Sequence, residues 1–128
     1  AVTKMTMPFA NAFFMGVLCN ILVTLGVLMS LAGKDGTSRF LGAWVPGMFF
    51  VTCGFNHSIA DMTYCMLGLF AKNVPAYVSA AQEAGVALES LTWGNYLLGN
   101  MLPVTLGNIV GGVAVGVTMW FSYLRGKK

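Results

Sequence analysis

Charge is what this sequence has least of. Asp, Glu, Lys and Arg make up 9% of the chain, against roughly 25% in an ordinary soluble domain. The apolar fraction is 57%, so a water-soluble globule is excluded. Cysteine is scarce too: Cys19, Cys53 and Cys65 form an odd set without paired spacing. That excludes a disulfide framework and leaves the three as small hydrophobes within apolar stretches. No Gly-rich phosphate loop is present, so a nucleotide-driven pump has no residues to rest on. The Asn-Pro-Ala boxes usual in a neutral-solute pore of the aquaporin type are also missing. No cleavable leader is expected, because the first apolar run is too long and no polar domain follows it.

The few charges are clustered. None falls within residues 5–33, 40–60 or 90–124, and about 20 mostly apolar residues make a membrane span. The expectation is an all-α membrane protein, a single membrane domain over 1–128, with three transmembrane helices. The first covers 8–31, with Pro8 in its first turn and Gly33 as its stop. The second is broken at mid-membrane into 40–54 and 57–71, after a milder perturbation at Pro46-Gly47. Neither half crosses about 30 Å of hydrocarbon alone, and together they do. A polar connection follows over 72–90, then an interfacial segment at 91–101 with Trp93 and Tyr96 as anchors. Pro103 opens the third helix, 104–124. There Gly107-x-x-x-Gly111 overlaps Gly112-x-x-x-Gly116, a small-residue face suited to close helix approach.

The net charge of +3 sits at the ends and in one loop, which argues for membrane topology and not for nucleic-acid binding. Lys34, Arg39, Arg125, Lys127 and Lys128 lie on one side, Lys4 and Lys72 on the other. The positive-inside rule makes the 34–39 loop and the C-terminus cytoplasmic. Three spans alone are thin for a membrane protein. Either the chain oligomerises or it is one half of a longer polypeptide, and an amino terminus so near a span favours the second.

The chemistry concentrates at the break, Gly54-Phe55-Asn56-His57-Ser58, which carries the only histidine. An ionisable group at that depth is a functional-site hypothesis by default. Irregular backbone survives there only inside protein or along a cavity. Asn56 or Ser58 is expected to cap the second half-helix, whose free N–H groups attract a small anion. His57 adds a hydrogen bond or a proton. Asp61, one turn on, pairs with a polar group or stays protonated. Phe50, seven residues before His57, is either an apolar gate or core. Lys4 is either an anion-attracting charge at the external mouth or an ordinary snorkelling end charge. A rival reading takes Cys53, His57, Asp61 and Cys65, spaced by four, as metal ligands. Gly54 breaks the helix just after Cys53, and four ligands on one straight helix cannot all reach one ion. Neither a metal nor a cofactor is expected.

The string Gly54-Phe55-Asn56-His57-Ser58-Ile59-Ala60-Asp61-Met62 resembles the Gly-Phe-Glu-His-Ser-Ile-Ala-Asn-Met signature of the formate/nitrite transporter family. Gly16-Val17-Leu18-Cys19-Asn20 resembles that family's Gly-Ile-Leu-x-Asn motif. Leu102-Pro103-Val104-Thr105-Leu106-Gly107-Asn108-Ile109 resembles its Ile-Pro-Val-Thr-x-Gly-Asn-Ile motif. The resemblance implies the C-terminal half of a six-helix, aquaporin-like inverted-repeat protomer, assembled as a homopentamer, with the N-terminal half of the protomer missing. It implies that His57 is the central pore histidine, Phe50 and Val23 are the apolar constriction, Asn20 lines the pore and Lys4 is a vestibule lysine. Two positions depart from the family: Asn56 stands for the usual glutamate and Asp61 for the usual asparagine. A carboxylate has in effect moved across His57, which leaves the choice among formate, nitrite and hydrosulfide open. The reading is a channel for small monovalent weak-acid anions in the bacterial inner membrane, and not an enzyme.

Overall fold

Asp35 sets the start of the second long helix in the chain. The computed structural model describes residues 1–125; the last three residues of the expected cytoplasmic tail, 126–128, lie outside them. Every regular element among the described residues is helical. A single turn, α1 (Val2–Met5), precedes α2 (Phe9–Ala32). Pro8 stands just outside α2 as its cap, and Gly33 ends it in an extended conformation. Arg39 donates from Nε to the Gly33 carbonyl at 3.0 Å, satisfying one of the last acceptors of that end.

Helix α3 (Gly36–Thr52) begins with a reciprocal cap. The Asp35 carboxylate accepts from Ser38 N at 2.9 Å, and Ser38 Oγ accepts from Asp35 N at 3.3 Å. These Ser38 bonds, backbone first, hold the Asp35 carboxyl below the usual carboxylate range. α3 runs without a break through Pro46, where the sequence suggested a perturbation. The chain then breaks, and α4 (Ser58–Ala71) follows.

The connection expected to be merely polar contains a further helix, α5 (Pro75–Glu83), with Pro75 in its first turn where a missing N–H is no loss. A 3₁₀ turn at Leu88–Ser90 leads onward. The segment expected at the interface is different in kind. Asn95–Met101 is π-helical and continues without interruption into α6 (Leu102–Met119) and a further π-helical turn, Trp120–Leu124. Pro103 therefore does not open this helix. It lies at the second position of the α-helical part, after the wider turn, so its absent N–H and its ring disturb nothing. Tyr96 is buried in a small core with Met5, Cys65, Leu69 and Leu91, while Trp93 stays exposed.

Two helices, Phe9–Ala32 and Asn95–Tyr123, are long and apolar enough to cross a bilayer. Their mean hydropathies are 2.3 and 1.6, yet only 22% and 28% of their most apolar stretches are buried. That is unlike the core helix of a soluble domain. α2 and α6 run parallel: Gly107 meets the backbone of Phe13, and Gly111 that of Val17 four residues later. α3 packs antiparallel on α2, with Gly26 against Ala43 and Pro46, and Gly42 against Met29 and Ser30. α4 then carries the chain back to α1, where Gly68 abuts Ala1.

The glycine face of α6 is thus half used. A Cβ at Gly107 or Gly111 would fall on α2 backbone, and one at Gly112 would sit 3.0 Å from Asn20 Nδ2. Gly116 meets nothing within 4 Å. Gly111→Leu is expected to cost about 1–3 kcal/mol or more by overpacking, and Gly116→Leu to change stability by no more than about 0.5 kcal/mol. Thermal unfolding in detergent separates the two. The Asp35 cap has a pH signature as well. Its folded carboxyl titrates below its unfolded one, so its contribution is present above the unfolded value and lost as pH falls through the folded one. The protection of the Thr37–Arg39 amides, taken relative to the unstructured-chain exchange rate at each pH, should fall on acidification in the wild type but not in Asp35→Asn, which caps without titrating.

Candidate functional site

The break is built from two helix ends that point at one another. α3 closes with Gly54 at φ 68, a left-handed residue that only glycine adopts cheaply. Phe55 N donates to Phe50 O at 3.0 Å and Gly54 N to Val51 O at 3.0 Å, the pair of bonds that terminates a helix in a Schellman motif. The next carbonyls are taken by Lys4 of α1. Its ammonium donates to Gly54 O at 3.0 Å and Phe55 O at 3.4 Å, and to Asn56 Oδ1. A cation at a helix C-terminus is favoured by the helix dipole.

The other end belongs to His57 and Asn108. His57 is extended (φ −112, ψ 118) and is itself the cap of α4, its Nδ1 accepting from Ile59 N at 3.3 Å. Neither Asn56 nor Ser58 takes the capping position expected of them. Asn56 is fully buried and turned toward Lys4 and Met7. Ser58 is already the first helical residue, so its hydroxyl is past the point from which the free N–H groups can be reached. With Nδ1 spent on the backbone, the remaining nitrogen of His57, Nε2, is the ring's donor. The ring sits 5.7 Å from that of Phe50, tilted by 35°.

Asn108 holds the break from across the molecule. It is buried on α6, and all its amide valences are used. Its Oδ1 accepts from Ser58 N at 3.0 Å and Ser58 Oγ at 3.1 Å. Its Nδ2 donates to Gly16 O of α2 at 2.9 Å and to Asn56 O in the break at 3.1 Å. Asn20 of α2 donates in turn to the Asn108 backbone carbonyl. One side chain therefore ties α2, the break and α4 to α6. In the sequence, Asn108 is visible only as a carboxamide among glycines in an apolar span, a signal that carries the same default suspicion as the histidine.

The structure gathers some of the expected site residues and separates others. Val23 and Phe50 line one apolar groove of about 320 Å³ between α2 and α3, with Leu22, Gly26, Ala43 and Gly47. Phe50 joins that groove to His57, and Asn20 lies one turn before Val23 on α2. Lys4 donates to the carbonyls of the break itself, Gly54 O and Phe55 O. Asp61 is buried between Lys4, at 3.9 Å, and Asn100 Nδ2, at 3.1 Å. Cys53 is exposed at the end of α3, whereas Cys65 lies in the core below α4. Among the described residues no three of His, Cys, Asp or Glu come together as metal ligands.

A helical protein with apolar outer faces, whose interrupted helix presents a polar group beside an apolar groove, belongs to the class of membrane channels and transporters. The comparisons with known proteins narrow this. The model of the formate/nitrite transporter family matches residues 1–121. The chain is 37% identical to a probable formate transporter of Methanothermobacter thermautotrophicus, over 97% of this chain and 39% of that protein. It is 36% identical to the formate channel FocA of Escherichia coli strain K12, over 95% of this chain and 44% of that one. A solved pentameric formate channel with formate bound superposes with a TM-score of 0.80 at 35% identity, covering 96% of this chain and 49% of that chain. The chain belongs to the formate/nitrite transporter family. It spans less than half the length of each of these relatives.

Removing the Asn108 amide should loosen the whole break. Asn108→Ala strands the Ser58 N–H and the Asn56 carbonyl, each worth about 1–3 kcal/mol when left buried and unpaired, and removes the second bond to the Gly16 carbonyl. Asn108→Asp keeps the acceptor for Ser58 but loses both donors, and is expected to fall between the wild type and Asn108→Ala. Melting temperatures of the three proteins in one detergent check the order.

Proposed function

We propose that this chain is the second half of a longer channel polypeptide that passes small monovalent anions of weak acids, with formate, nitrite and hydrosulfide as candidate substrates. The parallel α2 and α6 support three spans, because a chain that crosses twice in one direction must return between, and α3 with α4 make that return. At 17 and 14 residues, neither alone covers the hydrocarbon, whereas their sum does. The half resembles one repeat of an inverted pair, and the solved relative's pentameric state suggests a homopentamer for the complete protein. Lys34, Arg39 and Arg125 lie at the same end of the helix bundle, which supports a cytoplasmic C-terminus in the inner membrane of a bacterium.

One observation carries the reading: His57 caps α4 with Nδ1, which leaves Nε2–H as a fixed donor beside the apolar Phe50 ring. An anion reaching the break meets the positive end of the α4 dipole and this donor, in surroundings that strip its water. Val23 and Phe50 form the constriction that turns hydrated metal cations away, and Asn20, one turn before Val23 on α2, lines the pore beside it. His57 then holds the dehydrated anion by its N–H, or passes it a proton so that the neutral acid leaves.

The test is flux of formate, nitrite and hydrosulfide into proteoliposomes containing the complete polypeptide, with proton movement followed in parallel. His57→Phe keeps the aromatic contact with Phe50 and removes both the donor and the Nδ1 cap of α4; most of the flux is expected to be lost. Flux that survives this replacement removes the histidine from the mechanism.

A further inference from the structure

Asp61 is buried one turn past His57, and anion passage as described leaves it without a task. Its two oxygens are engaged by different elements. Oδ1 faces Lys4 Nζ of α1 at 3.9 Å, and Oδ2 accepts from Asn100 Nδ2 of the π-helical segment at 3.1 Å. Asn100 donates also to the Lys4 carbonyl at 3.2 Å, and its own Oδ1 is left buried without a partner. Both of its amide hydrogens are thus committed to the lysine and the aspartate, at the expense of its acceptor. Lys4 in turn touches Gly54 O, Phe55 O and Asn56 Oδ1. One ammonium therefore stands between positions 56 and 61, within reach of a carboxylate at either.

A buried cation is tolerated when it is paired and its hydrogen bonds are made. The charged and titratable groups around Asp61 are the α-amino group of Ala1, Lys4 of α1, Cys19 of α2, His57 and Cys65 at its own helix, and Tyr96 of the π-helical segment. Lys4 is the one basic residue among them besides His57. Its side chain is 21% exposed, so it is not sealed from the break it serves. Left unpaired, it would add a second positive centre close to the anion's path, and conduction requires binding weak enough for release.

Resting on the channel reading, we infer that Asp61 is a specificity-determining positioning residue. It neutralises Lys4 and pins its ammonium on the Gly54 and Phe55 carbonyls of the break, so that the passing anion meets the donor of His57 and not a free cation. Position 56 is an equivalent seat for the carboxylate, because Lys4 already contacts the side-chain oxygen there.

The test uses the complete polypeptide in proteoliposomes, with formate as the probe anion. Asp61→Asn should lower both the half-saturating formate concentration and the maximal flux. The shift in half-saturation is on the order of tenfold, since a unit charge acting over about 10 Å at an effective dielectric of about 20 biases an anion by that much. Asn56→Asp added to Asp61→Asn should restore both quantities. A lower maximum with unchanged half-saturation, and no recovery from the second substitution, is what a merely structural aspartate gives, and it overturns the inference. A second measurement needs no transport. Lys4→Met with Asp61→Asn should melt above either single variant, because both buried charges leave together; additive losses overturn the pairing. A wild-type protein that passes none of the three anions removes the channel reading and this inference with it, whereas normal wild-type flux left unaltered by Asp61→Asn removes this inference alone.

Discussion

A helix cut in two inside an apolar protein leaves a set of carbonyls on one side and of N–H groups on the other, and neither set can turn to water. Everything at the centre of this molecule answers that constraint. The last carbonyls of α3 are closed by the turn at Gly54, and the carbonyls of Gly54 and Phe55 just beyond it by the Lys4 ammonium. The N–H groups of α4 are closed by the ring of His57 and by the carboxamide of Asn108. Because each partner comes from a different element, satisfying the break also fixes α1, α2 and α6 around it. An unmade bond here costs more than a made one contributes, so the arrangement is defended by the penalty for losing it.

The close approach of α2 and α6 is what lets a side chain as short as asparagine reach. Gly107 and Gly111 let the two backbones meet, and Gly16 lies against Val104 O and the Asn108 side chain. With a larger residue at any of these positions the helices would stand apart, and the Asn108 amide would fall short of Gly16 O and Asn56 O. The stripe of small residues is therefore a condition for the polar network as well as a packing device.

Membership of the formate/nitrite transporter family makes sense of why a protein would keep so costly a feature, because an interrupted helix is one of the few ways to present backbone dipoles at membrane depth. The polar break and the apolar groove at Val23 and Phe50 lie next to each other and meet through the Phe50–His57 contact. A polar donor behind an apolar ring is a combination suited to a small anion that must shed its water. The chain covers less than half the length of these relatives.

Much of this was legible in the order of residues. Charge-free stretches mark where the long apolar helices run, and Gly54 close to a lone histidine marks where one of them breaks, because glycine and imidazole are both expensive in the middle of an apolar helix. Short-range chemistry of this kind is carried by neighbours in the chain and needs no fold. The capping of α4 was misassigned for the same reason: Asn and Ser are the better caps in isolation, and only the buried contacts of Asn56 with Lys4 and Met7 leave the position to His57. Pro103 was read as a helix start, since nothing local announces that a π-helical turn will absorb it. Lys4, Asn100 and Asn108 acquired their tasks only in three dimensions. Each acts on groups about 40 to more than 90 residues away along the chain, and a hydrogen bond between distant residues depends on how helices pack, a quantity that no local pattern contains.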